Sequence, residues 1–434
     1  MRAPRSDRAA AGRLNPAATF FLCLVGLLLA WPGRAAAAGD PPDASAQESA
    51  APIWTTSFDG QLFATFNRQG GSRGDTEFRS QNWLMGMASR PLGAGMFTVS
   101  GMATAEPLTV GLAGYSEILQ EGEAYQGRQV TDHQHPHDLI MQAVAAWRVP
   151  ITDRTTFTLV AGPVGEAALG PVAFMHRASS AENPTAPLSH HIFDSTHMVT
   201  GVVLGRLDRG PVSVEGSVFR GREPDEDRYD IDLGALDSWS TRLWIRPAPS
   251  WTIQGSYGFL HEPEQLEPGD QQRTNASVSW FRERGGDYSA VTAAVGWNAR
   301  TYSTVHSVLV EGTHHFHGNS VYGRFEDTTV ETEILLFPEI LHRPHPGELV
   351  DPIHAFTAGV VRDIATARGL SFGIGGDATF YQLPPLLQIT HDAHPVSFHV
   401  FLRVARASLA DRMWNTTMAG HGAGHDAMAH HHHE

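Results

Sequence analysis

Alternation of apolar and polar residues with a period of two recurs along most of the chain and strongly limits its possible folds. In WTIQGSYGF (251–259), Trp, Ile, Tyr and Phe occupy odd-numbered positions, while Thr, Gln and Ser occupy even ones. This pattern is typical of β-strands with one apolar and one polar face. About sixteen segments of about nine to eleven residues show it, the length that a tilted strand needs to cross a bilayer. They begin near residues 54, 79, 95, 139, 155, 197, 211, 238, 251, 274, 288, 304, 318, 355, 371 and 396.

The connections between these segments alternate between tight turns and long loops, as in outer-membrane barrels. We therefore predict an all-β fold over residues 53–405: a single transmembrane antiparallel β-barrel of about 16 strands (range 12 to 18), with short periplasmic turns and long extracellular loops. A soluble sandwich is the alternative, which the even strand number and the consistent sidedness of the loops disfavour. Tryptophans near segment ends are expected at the membrane interfaces: Trp54, Trp83, Trp239, Trp251 and Trp297.

The N-terminal region has the layout of an export signal. Arginines precede an apolar run and a small-residue tract, which predicts a cleaved signal peptide at 1–38, followed by a disordered leader at 39–52. The single cysteine, Cys23, lies inside this peptide, so disulfides and thiolate metal sites are excluded from the mature chain. We expect a location in the Gram-negative outer membrane, in contact with its lipid. All 31 basic residues are arginine and the net charge is −15, which disfavours nucleic acid as a partner.

Two histidine-rich motifs fall in loops that the barrel assignment places on one side. HQHPHD carries His133, His135, His137 and Asp138, and HHIFDSTH carries His190, His191, Asp194 and His197. Imidazole and carboxylate without thiolate suit a divalent transition metal such as Cu, Zn or Ni. The strands that flank the two loops are consecutive, so both loops can fold inward and share one site. The alternative is that these histidines are structural and hydrogen-bonded to neighbouring carboxylates and arginines.

The C-terminal segment 406–434 is rich in histidine, glycine and alanine. It contains few large apolar residues, so we expect a flexible tail that hangs in the periplasm. Such tracts are typical of metal binding, and an expression tag is the alternative. The candidate ligands in this tail are His421, His425, His430, His431, His432 and His433.

Several motifs resemble those of a family of exported Gram-negative outer-membrane β-barrel proteins that carry HQHPHD. They are DHQHPHDL, AFMHR, AENPTAPLSHH, DSTH, GREPDEDR and HEPEQLEPG, and the resemblance covers residues 54 to 405. It implies a barrel in the outer membrane and no particular activity. The tail also resembles the Met/His-rich regions of copper-resistance outer-membrane proteins, although those regions are N-terminal.

The sequence favours a channel or binding protein for a small polar solute or a divalent metal ion. An outer-membrane hydrolase is the alternative, because serine, histidine and aspartate lie close together in residues 189–197. Neither serine of this stretch lies in a G-x-S-x-G elbow that would support it. A purely structural or adhesive barrel has no positive signal in the sequence.

Overall fold

The structure is a computed structural model that describes residues 54–301, 303–337, 349–409, 412–415 and 417–420. Its dominant feature is a set of long antiparallel strands. In chain order they are β1 (Thr55–Arg68), β2 (Thr76–Arg79), β3 (Asn82–Leu92), β4 (Gly95–Ala103), β5 (Tyr115–Tyr125), β6 (Arg128–Gln134), β7 (Ile140–Thr152), β8 (Thr155–Gly165), β9 (Val199–Arg209), β10 (Val212–Phe219), β11 (Ser238–Ala248), β12 (Trp251–Leu260), β13 (Gln271–Arg284), β14 (Asp287–Ala299), β15 (Thr304–Phe316), β16 (Asn319–Glu331), β17 (Val350–Ala367), β18 (Leu370–Gln382) and β19 (Val396–Arg406).

Within the described part of the chain, helical structure is confined to single turns in the loops. None of the helices among the described residues is long and apolar enough to cross a membrane. The α-helical turns are α1 (Glu106–Thr109), α2 (His190–Phe193), α3 (Thr332–Leu336) and α4 (Gln388–His391), and the 3₁₀ turns are Phe174–His176, Ser195–His197 and Met418–Gly420.

The strands form a closed barrel of sixteen, because β1 pairs with β19 and completes the ring. The short strand β2 continues β3 on the same side of β1 and adds no position to the wall. Strands β5 and β6 form a separate hairpin. Seven two-residue turns, such as 93–94 and 210–211, connect the strands at one end, while most connections at the other end are long. The predicted all-β antiparallel barrel is therefore confirmed.

The two faces of the wall have the polarity that the alternation predicted. In β10, Val214 and Val218 point outward and are 49% and 44% exposed, whereas Glu215 points inward and is 1% exposed. An apolar outer surface around a polar interior is the reverse of a soluble protein and suits lipid. Four of the five tryptophans expected at the interfaces are exposed, but Trp83 is 8% exposed and packs inside the barrel. The prediction for Trp83 is wrong because the lumen contains apolar clusters as well as polar groups.

Chain segments fill the lumen. The inner loop, residues 166–198 between β8 and β9, is buried along nearly its whole length. Residues 412–415 and 417–420 also enter the barrel, where Trp414 contacts Tyr288 and Met418 joins a core cluster with Val202. This corrects the expectation of a flexible tail over 406–434, because buried apolar side chains anchor the described part of that segment. The signal peptide, the leader and the tail histidines lie outside the described residues.

Candidate metal centre

The inner loop is fixed to the barrel wall from several sides. Its backbone N–H groups at Ala168 and Gly170 donate to serine hydroxyls of β10 and β12, at 3.0 and 2.9 Å. On the far side, the guanidinium of Arg177 lies 2.7 Å from Glu311 of β15. Burial opposes ionisation of such a pair, but the attraction of Glu311 and Asp194 outweighs it and raises the pKa of Arg177. The loop is therefore held as a rigid part of the interior.

Two histidines of the inner loop are oriented by one aspartate. His190 lies on α2, and its Nδ1 is 2.7 Å from Oδ1 of Asp194. The 3₁₀ turn that follows places Nδ1 of His197 2.7 Å from the backbone carbonyl of Asp194. The other oxygen of this carboxylate receives a hydrogen bond of 2.5 Å from Arg177. Burial disfavours the ionised carboxyl, yet Arg177 and His190 hold the pKa of Asp194 below its usual range.

The third histidine comes from the HQHPHD motif. Strand β6 ends before Pro136, so the chain turns and directs His137 inward. Its Nδ1 lies 2.8 Å from Oε2 of Glu106 on α1, and the same oxygen accepts the backbone N–H of His137 at 3.0 Å. Burial is the largest single influence and lowers the pKa of His137, but the hydrogen bond and attraction of Glu106, together with the attraction of Glu123 and Asp138, raise it above its ordinary value.

The rings of His137, His190 and His197 converge on one point. A ring nitrogen from each lies within 4.8 Å of the other two, and Nε2 of His137 is 3.2 Å from Nε2 of His197. All three Nδ1 atoms have an oxygen partner, so Nε2 is the nitrogen left to each ring. Two nitrogens bound to one tetrahedral zinc ion, each at about 2.0–2.1 Å, lie about 3.3 Å apart. The observed spacing fits two ligands on one ion, and it equally fits a hydrogen bond in which the two rings share one proton.

The tautomers follow from these contacts. A backbone carbonyl only accepts hydrogen bonds, so Nδ1 of His197 carries the proton and its Nε2 presents a lone pair. The carboxylate of Glu106 imposes the same arrangement on His137. Two lone pairs at 3.2 Å repel each other unless a cation lies between them, either a proton or a metal ion. Burial and the repulsion from His137 and His190 hold the pKa of His197 well below its ordinary value.

His135 and His191 lie beside these three. Their ring centroids are 5.2 Å apart, and His191 is 5.4 Å from His190. Nε2 of His135 contacts Glu123 at 3.2 Å. Burial, then repulsion from neighbouring histidines, holds the pKa values of both rings well below the ordinary value. The two residues extend the cluster but do not share the convergence point.

Two predicted ligands lie elsewhere. His133 remains on β6, where its Nδ1 contacts the carbonyl of Thr131 at 3.2 Å. Asp138 forms an ion pair with Arg228 at 3.2 Å, and burial raises the pKa of this carboxyl to about 7 although the guanidinium opposes the shift. The three HQHPHD histidines are separated because His133 lies on β6, whereas His135 and His137 follow its end.

The sequence analysis missed Glu106, because nothing in TAEPLTVG marks a carboxylate that reaches a loop 31 residues away.

The sequence also offered a hydrolase as the alternative function, because Ser189 and Ser195 lie close to histidine and aspartate. Ser189 donates a hydrogen bond of 2.7 Å to Glu326, and Ser195 accepts one of 2.6 Å from Arg273. Both hydroxyls are thus hydrogen-bonded to groups other than a histidine, and neither of these two serines forms a Ser–His–Asp arrangement.

A cavity of about 40 Å³ adjoins the convergence point and is lined by His135, His137 and Glu106, among others. This volume is enough for water or a small ligand beside the imidazoles. In the loop between β10 and β11, Glu223 is half-buried, and burial and the nearby Glu264 raise its pKa well above the ordinary value.

No family model matches the sequence, and no curated protein is significantly similar to it. Solved structures with similar folds include the anion-selective porin from Comamonas acidovorans (TM-score 0.50, 8% identity, 81% of this chain and 100% of that chain). OprB of Pseudomonas putida has a TM-score of 0.49 at 9% identity, over 81% of this chain and 94% of that chain. At such identity the porin shows a shared barrel fold alone. The HQHPHD family and the copper-resistance likeness stay predictions.

Proposed function

We propose that this protein is an outer-membrane barrel that binds a divalent transition-metal ion in its lumen, through His137, His190 and His197. The observation that carries the proposal is the convergence of three imidazole nitrogens within 4.8 Å. Metal-binding histidines commonly donate their second N–H to a carboxylate or a carbonyl, and all three rings have such a partner. Three protein ligands leave a position for water or a fourth ligand, as in tetrahedral zinc sites.

The outward apolar face and the barrel fold support a location in the outer membrane. The direction of the loops supports an approach from outside the cell, if the two-residue turns lie in the periplasm.

The filled lumen favours binding over free diffusion of solutes. In a wide porin the inward side chains face water, but here inward groups such as Glu215, Arg242 and Ser256 are buried. The inner loop and residues 412–415 and 417–420 contribute to this burial. A channel for a small polar solute therefore requires that these segments move, whereas binding of an ion does not.

The test uses the full chain with the six tail histidines replaced by alanine, purified from outer membranes in detergent; we call it the tail-substituted chain. We expect about one Co(II) ion per chain, with the absorption spectrum of a tetrahedral site. His190→Asn together with His197→Asn should abolish binding. The matched control is His399→Asn, which also removes a buried histidine that is paired with a carboxylate.

The proposal fails if the tail-substituted chain binds no Co(II), Zn(II), Ni(II) or Cu(II). It also fails if the double variant binds as tightly as its parent. The heat-dependent mobility of the barrel in gels verifies that each variant is folded, so a loss of metal is not mistaken for a loss of structure.

A further inference from the structure

Methionines concentrate in one cluster of the lumen, next to the histidines. Seven of the 11 methionines of the chain belong to it, six of them buried and Met87 partly buried. They come from three barrel strands, from the inner loop and from the C-terminal segment that enters the barrel. The six buried members are Met85, Met102, Met141, Met175, Met198 and Met413.

This composition distinguishes the cluster from its neighbours. A neighbouring cluster in the same lumen is built of Val, Leu, Ala and Phe with a single methionine, and a third one is built mostly of Leu and Ile with none. The methionine cluster has no leucine or isoleucine among its buried members. Leucine fills a similar volume and is more rigid, so a site that needed only volume would not exclude it. The property that methionine adds is the thioether sulfur, which is a soft metal ligand.

The cluster opens onto the same cavity as the imidazoles. Met141 and Met175 line the cavity of about 40 Å³ together with His137. Met198 directly follows the proposed ligand His197. Trp83, which is buried in the cluster, adds an aromatic face that attracts cations.

We propose that the methionine cluster binds a soft monovalent metal ion, Cu(I) or Ag(I), through thioether sulfurs, beside the imidazole site. Thioethers are neutral, and a monovalent ion costs less to bury among neutral ligands than a divalent one. Soft sulfur donors select Cu(I), whereas imidazoles suit Zn(II), Cu(II) and Ni(II). The two groups of ligands therefore separate ions by softness within one lumen. This inference is independent of the imidazole site proposed above.

The test measures Ag(I) and Co(II) binding to the tail-substituted chain. The variant Met102→Leu, Met141→Leu and Met175→Leu conserves volume and removes three sulfurs. We expect its affinity for Ag(I) to fall at least tenfold while its affinity for Co(II) is unchanged. The control is Met96→Leu, because Met96 is 39% exposed and outside the cluster, and it should bind both ions like the parent.

Three outcomes would overturn the inference. The first is that the parent binds no Ag(I). The second is that the triple variant binds Ag(I) as tightly as the parent. The third is that changing His190 and His197 to Asn removes Ag(I) binding while the triple variant retains it. If the triple variant does not fold, Met102→Leu and Met141→Leu are measured singly, and unchanged Ag(I) affinity in both contradicts the proposal. If the parent binds Ag(I) but no Co(II), the imidazole site is refuted and the methionine site is not.

Discussion

The variant Glu106→Gln tests whether the carboxylate that contacts His137 supports metal binding at the candidate centre. Oε2 of Glu106 accepts two hydrogen bonds from His137, one from the ring at 2.8 Å and one from the backbone at 3.0 Å. Glu106→Gln keeps the size and one acceptor but removes the charge. Hydrogen bonds to charged groups contribute about 1.5–3 kcal/mol and neutral ones about 0.5–1.5 kcal/mol, so the loss is about 1–2 kcal/mol. An energy loss of this size corresponds to a fall in metal affinity that overlaps the 10- to 100-fold loss typical when the carboxylate partner of a metal-bound histidine is removed.

We therefore expect the Co(II) affinity of the tail-substituted chain to fall about tenfold, measured at pH 8 so that protons compete little for the imidazoles. The control is Asp377→Asn, because Asp377 also pairs with a buried lumen histidine, His399, at 2.6 Å. This control should bind Co(II) within about twofold of the parent. Equal losses in both variants, or no loss in Glu106→Gln, would refute the assignment of Glu106 to a ligand histidine.

Three further predictions concern the filled lumen and the orientation. Deleting 407–434 removes a buried tryptophan and should destabilise the barrel by about 3–5 kcal/mol, whereas deleting 421–434 should leave its melting temperature nearly unchanged. Burial raises the pKa of Glu117 to about 8, although Arg79 and Arg324 oppose the shift. The folded state therefore binds a proton at this carboxyl more readily than the unfolded state does, and the wild-type protein loses stability as the pH rises from about 4.5 to 8. Glu117→Gln removes this loss, so its melting temperature should rise progressively above that of the wild type across this window and equal it at lower pH. An epitope inserted at Leu233, which is 64% exposed at the long-loop end, should be labelled on intact cells, and one at Gly93 should not; the reverse pattern would invert the orientation.

The barrel wall could be predicted from sequence because each strand has its own local signature. All sixteen wall strands begin within about five residues of the predicted positions, since alternation records which face meets lipid. The contents of the lumen could not be predicted in this way. The inner loop has no period, and its position depends on contacts such as Arg177 with Glu311, 134 residues apart. The burial of Trp414 depends likewise on space inside a ring that is closed by strands distant in sequence.

The histidines show how far a local motif can define a site. The sequence indicated the right two loops and included the three residues that converge, His137, His190 and His197. It also included His133, because spacing in an extended strand treats every second residue alike. The distinction arises at the end of β6, where the chain leaves the hairpin and only the residues beyond it reach the barrel interior. What distinguishes the candidate ligands is that a ring nitrogen of each converges with two others. The Nδ1 partners that orient these rings, Glu106 and Asp194, are defined by the closed fold rather than by the motif.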